Sequence, residues 1–104
     1  LNNISYHCHN HKDVEKIQKM FIEQGYTFND NVYKHTYPLN PTQEWDGVYK
    51  TILHIKHDIK DMSYDYYSLK YPPQKLDMIS KNKIIVDCNV LFREDKLKRI
   101  LNNM

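Results

Sequence analysis

Ile4, Tyr6 and Cys8 alternate with Ser5, His7 and His9, the period of two that marks a half-buried strand. The period then lengthens. Val14, Ile17 and Phe21, with Met20 or Gln24, fall on one face of a helix expected over 11–24. Asn10 is a suitable N-cap, Asp13 stands three positions on, and Gly25 supplies the stop. Residues 26–28 read as a strand, 29–31 (Asn-Asp-Asn) as a turn, and 32–37 as a continuing or returning strand. Pro38 and Pro41 remove backbone donors, so 38–47 is expected to be an exposed loop carrying Trp45.

Residues 48–57 resume as a strong strand whose Leu53 and Ile55 side reads as core. The Tyr-rich segment 58–71 fits either a further strand or an irregular lid. Pro72 and Pro73 are placed to open a short helix through Ile79. Residues 83–91 form an apolar run expected to be a central strand, and Leu97, Ile100, Leu101 and Met104 give a terminal helix over 93–103 one apolar face. This order predicts one α+β domain over 1–104, with a mainly antiparallel sheet flanked by helices. One layout is a split βαβ sheet of the ferredoxin-like kind with an appended C-terminal helix; a plain antiparallel sheet flanked by helices is the other.

Composition narrows the classes of function. The chain has 104 residues, 40% of them hydrophobic, enough for one small core. Its 15 basic and 13 acidic residues give a formal charge of +2, far from the bias of a protein that coats duplex DNA. No apolar run approaches a membrane span and no signal-peptide pattern is visible, so a cytoplasmic protein is expected. Cys8 and Cys88 have no CxxC partner spacing and are expected to be reduced thiols.

The pentapeptide His7-Cys8-His9-Asn10-His11 is the most unusual in the chain, because strand alternation puts His7 and His9 on one face. Such a pair, completed by His54 or His57 from a neighbouring strand, has the donor set of an open zinc site. The same four histidines suit metal-free cleavage of RNA, in which one imidazole takes the 2′-hydroxyl proton and another protonates the leaving oxygen. The paired His-x-Ser/Thr motifs of two-histidine phosphoesterases are missing, since His54 is followed by Ile55 and Lys56 and His35 by Thr36 and Tyr37. A solvated polar strand face would carry the same histidines. Two glycines cannot build a phosphate-binding loop, neither cysteine has the flanks of a catalytic nucleophile, and no cofactor is implied.

Nine tyrosines, Trp45 and thirteen lysines suit either a stacking surface for single-stranded nucleic acid or a protein interface. The interleaving of acid in Tyr64-Asp65-Tyr66-Tyr67 repels phosphate and favours the protein interface. Trp45 in its Pro-bounded loop is the first anchor, with Tyr64, Tyr66, Tyr67 and Tyr71 as the second group.

The capped helix Asp13-Val14-Glu15-Lys16-Ile17-Gln18-Lys19-Met20-Phe21, followed by Glu23-Gln24-Gly25-Tyr26-Thr27-Phe28, resembles small accessory proteins of phages that infect low-GC bacteria. The absence of Ala and the wealth of Lys, Asn, Ile and Tyr fit an AT-rich coding sequence. The resemblance covers about the first quarter of the chain. It implies a non-enzymatic binder of a host protein, an inhibitor of a host enzyme or a defence antagonist of the anti-CRISPR type, that masks a surface in the host cytoplasm. The alternative is a single-stranded nucleic-acid binder or a histidine-dependent ribonuclease.

Overall fold

A computed structural model describes residues 3–28, 40–70 and 84–103. The described elements run β1 (Ile4–Cys8), α1 (His11–Glu23), β2 (Thr27–Phe28), a 3-10 turn (Gln43–Gly47), β3 (Tyr49–Lys56), β4 (Asp61–Ser68), β5 (Ile85–Asp87) and α2 (Cys88–Asn102). The expected strand over 32–37 and the expected helix over 72–79 lie outside the described residues.

Helix α1 forms where local chemistry demands it. Asn10 holds an extended backbone and its side-chain oxygen accepts the Asp13 N–H at 2.9 Å, satisfying one of the donors that a helix leaves unpaired at its start. At the other end the Gly25 N–H donates to the Ile22 carbonyl and the Tyr26 N–H to the Phe21 carbonyl. Gly25 takes φ +89°, a left-handed turn that a residue with a Cβ resists. Val14, Ile17, Met20 and Phe21 make the buried stripe.

The five strands lie in the order β2-β4-β3-β1-β5. β3 pairs antiparallel with β1 and with β4, whereas β2 joins β4 and β5 joins β1 in parallel. The sheet is therefore mixed, which corrects the expectation of a mainly antiparallel one. The parallel pairings arise because both edge strands arrive after helical or long connections and not from hairpins. The arms of the β1–α1–β2 crossover are separated by β3 and β4.

The core lies between the sheet and the helices. Tyr6 and Cys8 from β1 meet Val14, Ile17 and Phe21 from α1, Leu53 and Ile55 from β3, Met62 from β4 and Cys88 from α2. Tyr6 packs against Phe21 at 5.7 Å between ring centroids, and Phe21 against Tyr26 at 5.0 Å. On β3 the sequence reading assigned only the Leu53 and Ile55 side to the core. In the structure all of Thr51, Ile52, Leu53, His54 and Ile55 are buried, in a strand flanked on both sides by β1 and β4.

The ambiguous segment after 57 contains a strand, β4, entered through Lys60 at φ 49°. The apolar run over 83–91 is overturned as a central strand. Among its described residues only Ile85–Asp87 is extended, at the sheet edge, and Ile84 and Ile85 are exposed. Asp87 is the reason. Its carboxylate accepts the Asn89 N–H at 2.8 Å and starts α2 at Cys88, before the expected Arg93. Cys88 is buried, Leu91 and Phe92 pack on the core, and beyond them Leu97, Ile100 and Leu101 are exposed. No described helix is long and apolar enough to cross a membrane.

Candidate functional site

Three groups of side chains carry chemistry, and the register of the sheet assembles them. The first is aromatic. Trp45 sits on the 3-10 turn, whose Trp45 N–H donates to the Thr42 carbonyl at 3.0 Å and whose Val48 N–H donates back to Trp45 at 2.9 Å. The turn is tied to the start of α1, because Asp46 accepts both the backbone N–H of His11, at 2.7 Å, and its Nδ1, at 2.8 Å. Desolvation pushes the Asp46 carboxyl up, but the side-chain and backbone hydrogen bonds from His11 outweigh it and hold the group below its usual range.

Thr51 faces Tyr66 and Tyr49 faces Ser68 across β3 and β4, so Tyr49 and Tyr66 are diagonal neighbours on the face that also carries Leu53. Their centroids lie 5.2 Å apart, and Trp45 stands 5.7 Å from each. Tyr66 is 50% exposed. Trp45 and Tyr66, expected as anchors from the sequence, are thus brought together, and Tyr49 joins them. Tyr49 was missed because it reads as part of the strand over 48–57, on the Leu53 and Ile55 side; its spacing of four from Trp45 becomes meaningful only once the turn folds back. Tyr64 shares this face but packs against Phe28 at 6.1 Å. Tyr67 points the other way, is buried, and bonds His7, so it does not belong to the aromatic surface. Tyr71 lies outside the described residues.

The second group occupies the opposite face. Ser5 pairs with His54 across β1 and β3, and Ser5 Oγ lies 2.7 Å from His54 Nδ1. His54 Nε2 lies 2.8 Å from Asp65 Oδ2. This Ser-His-Asp chain has the connectivity of an activated nucleophile, yet Ser5 is 0% exposed and cannot meet a substrate, so the chain acts as a buried polar tie. Along the same face, His7 Nε2 lies 2.8 Å from the Tyr67 hydroxyl. The His7 and His9 rings meet edge to face at 5.0 Å, His9 Nε2 lies 2.5 Å from Asp87 Oδ2, and Lys50 Nζ donates to the His9 carbonyl. Burial lowers the pKa of His7, and neighbouring His9 lowers it further. Asp87 is held below the usual carboxylate range by the Asn89 N–H and by His9.

His57 stands apart from this cluster, with its Nδ1 2.8 Å from the Tyr26 hydroxyl. The four histidines considered as metal ligands are therefore not one set: His7 and His9 adjoin, His54 is committed to Ser5 and Asp65, and His57 partners Tyr26. Among the described residues no group of three or more His, Cys, Asp or Glu is placed to hold a metal ion.

The third feature is a groove of about 1210 Å³ between α1 and α2. Its lining mixes six cations, from Lys12 to Arg99, with the carboxylates of Asp13, Glu23, Asp87 and Asp95, the last of which pairs with Arg99 at 2.9 Å, and Lys16 lies over the Phe92 ring at 4.3 Å. Asp87 belongs to this lining as well as to the histidine cluster. Beneath it, Cys8 and Cys88 are both fully buried free thiols. The hydrogen bond between them and their burial push the Cys8 thiol far up.

Compared with protein-family models, with curated proteins and with solved structures, the chain matches none.

Proposed function

We propose that this chain is a protein-binding module that acts by steric masking of a partner's surface, in the manner of a phage inhibitor of a host enzyme or defence complex. The observation that carries this reading is the Trp45–Tyr49–Tyr66 cluster, three mutually packed rings of which Tyr66 is half exposed. Rigid aromatic groups of this kind contribute large contact area at little entropic cost, and interfaces concentrate their energy in such anchors. The turn that presents Trp45 is fixed beforehand by the His11–Asp46 bonds, so little ordering is left to be done on binding.

The test is affinity capture from the lysate of a low-GC bacterium after nuclease treatment, followed by calorimetric titration of the captured protein. Trp45→Ala and Tyr66→Ala should each weaken binding by roughly tenfold or more while leaving the circular dichroism spectrum intact. Unchanged affinity in both folded variants would reject the assignment. A second reading, binding of single-stranded nucleic acid, rests on the groove between α1 and α2, where six basic side chains stand among four carboxylates, Asp13, Glu23, Asp87 and Asp95. It predicts that nuclease treatment abolishes capture and that retention falls with added salt.

A further inference from the structure

We infer that Cys8 and Cys88 close an intramolecular disulfide when the chain meets a disulfide oxidant of the oxidised-glutathione class, and that this bond clamps α2 to the sheet. The parallel register of β1 and β5 sets the pair up. Ser5 faces Ile85, Tyr6 faces Val86 and His7 faces Asp87, so the next positions in line are Cys8, the last residue of β1, and Cys88, the first of α2. Adjacent strands lie about 4.8 Å apart, inside the roughly 4.4–6.8 Å between Cα atoms that a disulfide spans. Both side chains enter the same core cluster, and both residues are 0% exposed. The two thiols already share a hydrogen bond. Cys88 donates its own proton to Asp13 Oδ2 at 3.4 Å, so its sulfur is the acceptor in that bond and Cys8 the donor. The chain has just two cysteines, so no other pairing within it competes.

The bond acts at the place where α2 is held. The helix packs on the core through Cys88, Leu91 and Phe92, while Leu97, Ile100 and Leu101 are exposed. The strand that delivers it, β5, has three residues and lies at the sheet edge. An edge held by so few groups opens locally more readily than the central strands do. Opening bares Cys88, whose thiolate attacks a sulfur of oxidised glutathione and releases one glutathione thiol. Before the edge recloses, Cys8 as its thiolate attacks the Cys88 sulfur of that mixed disulfide. The Cys8–Cys88 bond forms and the second glutathione leaves. The chain gives up two electrons and two protons, and both end on the two glutathione thiols. Afterwards α2 cannot leave β1 at this point without breaking a covalent bond, and the long loop between the cysteines stays closed in the unfolded chain as well.

The test compares two redox states of one unmutated chain, so no variant has to fold. Purified reduced protein is incubated with excess oxidised glutathione, in native buffer and in urea below the unfolding midpoint. Samples are quenched in acid, alkylated in denaturant and weighed by mass spectrometry. The expected product is a monomer lighter by two hydrogens that takes up no alkylating reagent and regains two free thiols with dithiothreitol. It should form slowly in native buffer and roughly tenfold faster or more in urea, because both sulfurs must first be uncovered. Its Tm should exceed that of the reduced chain by roughly 10 °C or more. Amide exchange over β5 and the first turn of α2 should slow by roughly tenfold or more. The inference is overturned by thiols that stay reduced in both buffers, by stable glutathione adducts in place of the internal bond, by disulfide-linked dimers, or by an oxidised monomer that melts no higher than the reduced one.

Discussion

Ser5 Oγ and His54 Nδ1 lie 2.7 Å apart across the β1–β3 register, in a part of the sheet where both residues are buried. His54 passes the chain on to Asp65, so one imidazole ties β1, β3 and β4 together through side chains as well as through the backbone ladder. Removing it strips a partner from a fully buried hydroxyl and from a carboxylate. His54→Ala should cost about 2–3 kcal/mol. For a chain of this size that is a fall of roughly 8–24 °C in Tm. A melting temperature within about 2 °C of wild type would show that the tie contributes little.

Acid should weaken the fold in two steps. Burial lowers the pKa values of His7 and His57 below the usual 6.5, so the unfolded chain takes up protons that the native protein refuses. Their contribution is complete above about pH 6.5 and is lost as pH falls from there toward the native values. Asp87 is depressed from 3.8, so its contribution is present above that value and disappears as pH falls through its lower native one. Urea midpoints measured from pH 7.5 to 5.0 should therefore decline, and the double variant His7→Gln with His57→Gln should flatten the slope. An identical slope in the variant would assign the decline to other groups.

The two thiols should be inert in the folded protein. Cys8 and Cys88 are both 0% exposed, and the Cys8 pKa is raised by its hydrogen bond with Cys88 and by burial, which leaves little thiolate to react. Titration with a chromogenic disulfide reagent should detect almost no thiol in native buffer and two per chain in denaturant. Rapid native reaction of either would contradict the burial of this corner of the core.

Features written in local chemistry were legible in the sequence. Helix α1 was expected over 11–24 and spans His11–Glu23, because its cap, stripe and terminator all lie within one short window. β3 was expected over 48–57 and spans Tyr49–Lys56 for the same reason. Features decided at a distance were not. The run Ile84, Ile85, Val86, Cys88, Val90 reads as a central strand by composition, but Asp87 captures the Asn89 N–H and turns the chain into helix. Leu97, Ile100 and Leu101 have core spacing, yet α2 carries them beyond the sheet that would cover them. At the candidate sites, the nearness of His7 to His9 followed from alternation alone. Tyr67, Asp87 and Lys50 around them depend on strand order, which no single stretch of sequence encodes. The aromatic surface divided likewise: Trp45 and Tyr66 were readable as anchor candidates, and of the two Tyr66 is exposed, whereas the reversal of Tyr67 to the other face required the register of β4.

Asp87 divides its carboxylate between two duties, Oδ1 on the Asn89 N–H and Oδ2 on His9 Nε2. A single rigid group thus mechanically links the first turn of a fifteen-residue helix to the seat of an imidazole ring at the end of the sheet. Whatever rotates that carboxylate to follow His9 also loosens the grip on α2, and whatever seats α2 more firmly steadies His9. Amide exchange at Asn89 is consequently a local gauge of events at the histidine, readable without any label on the imidazole itself.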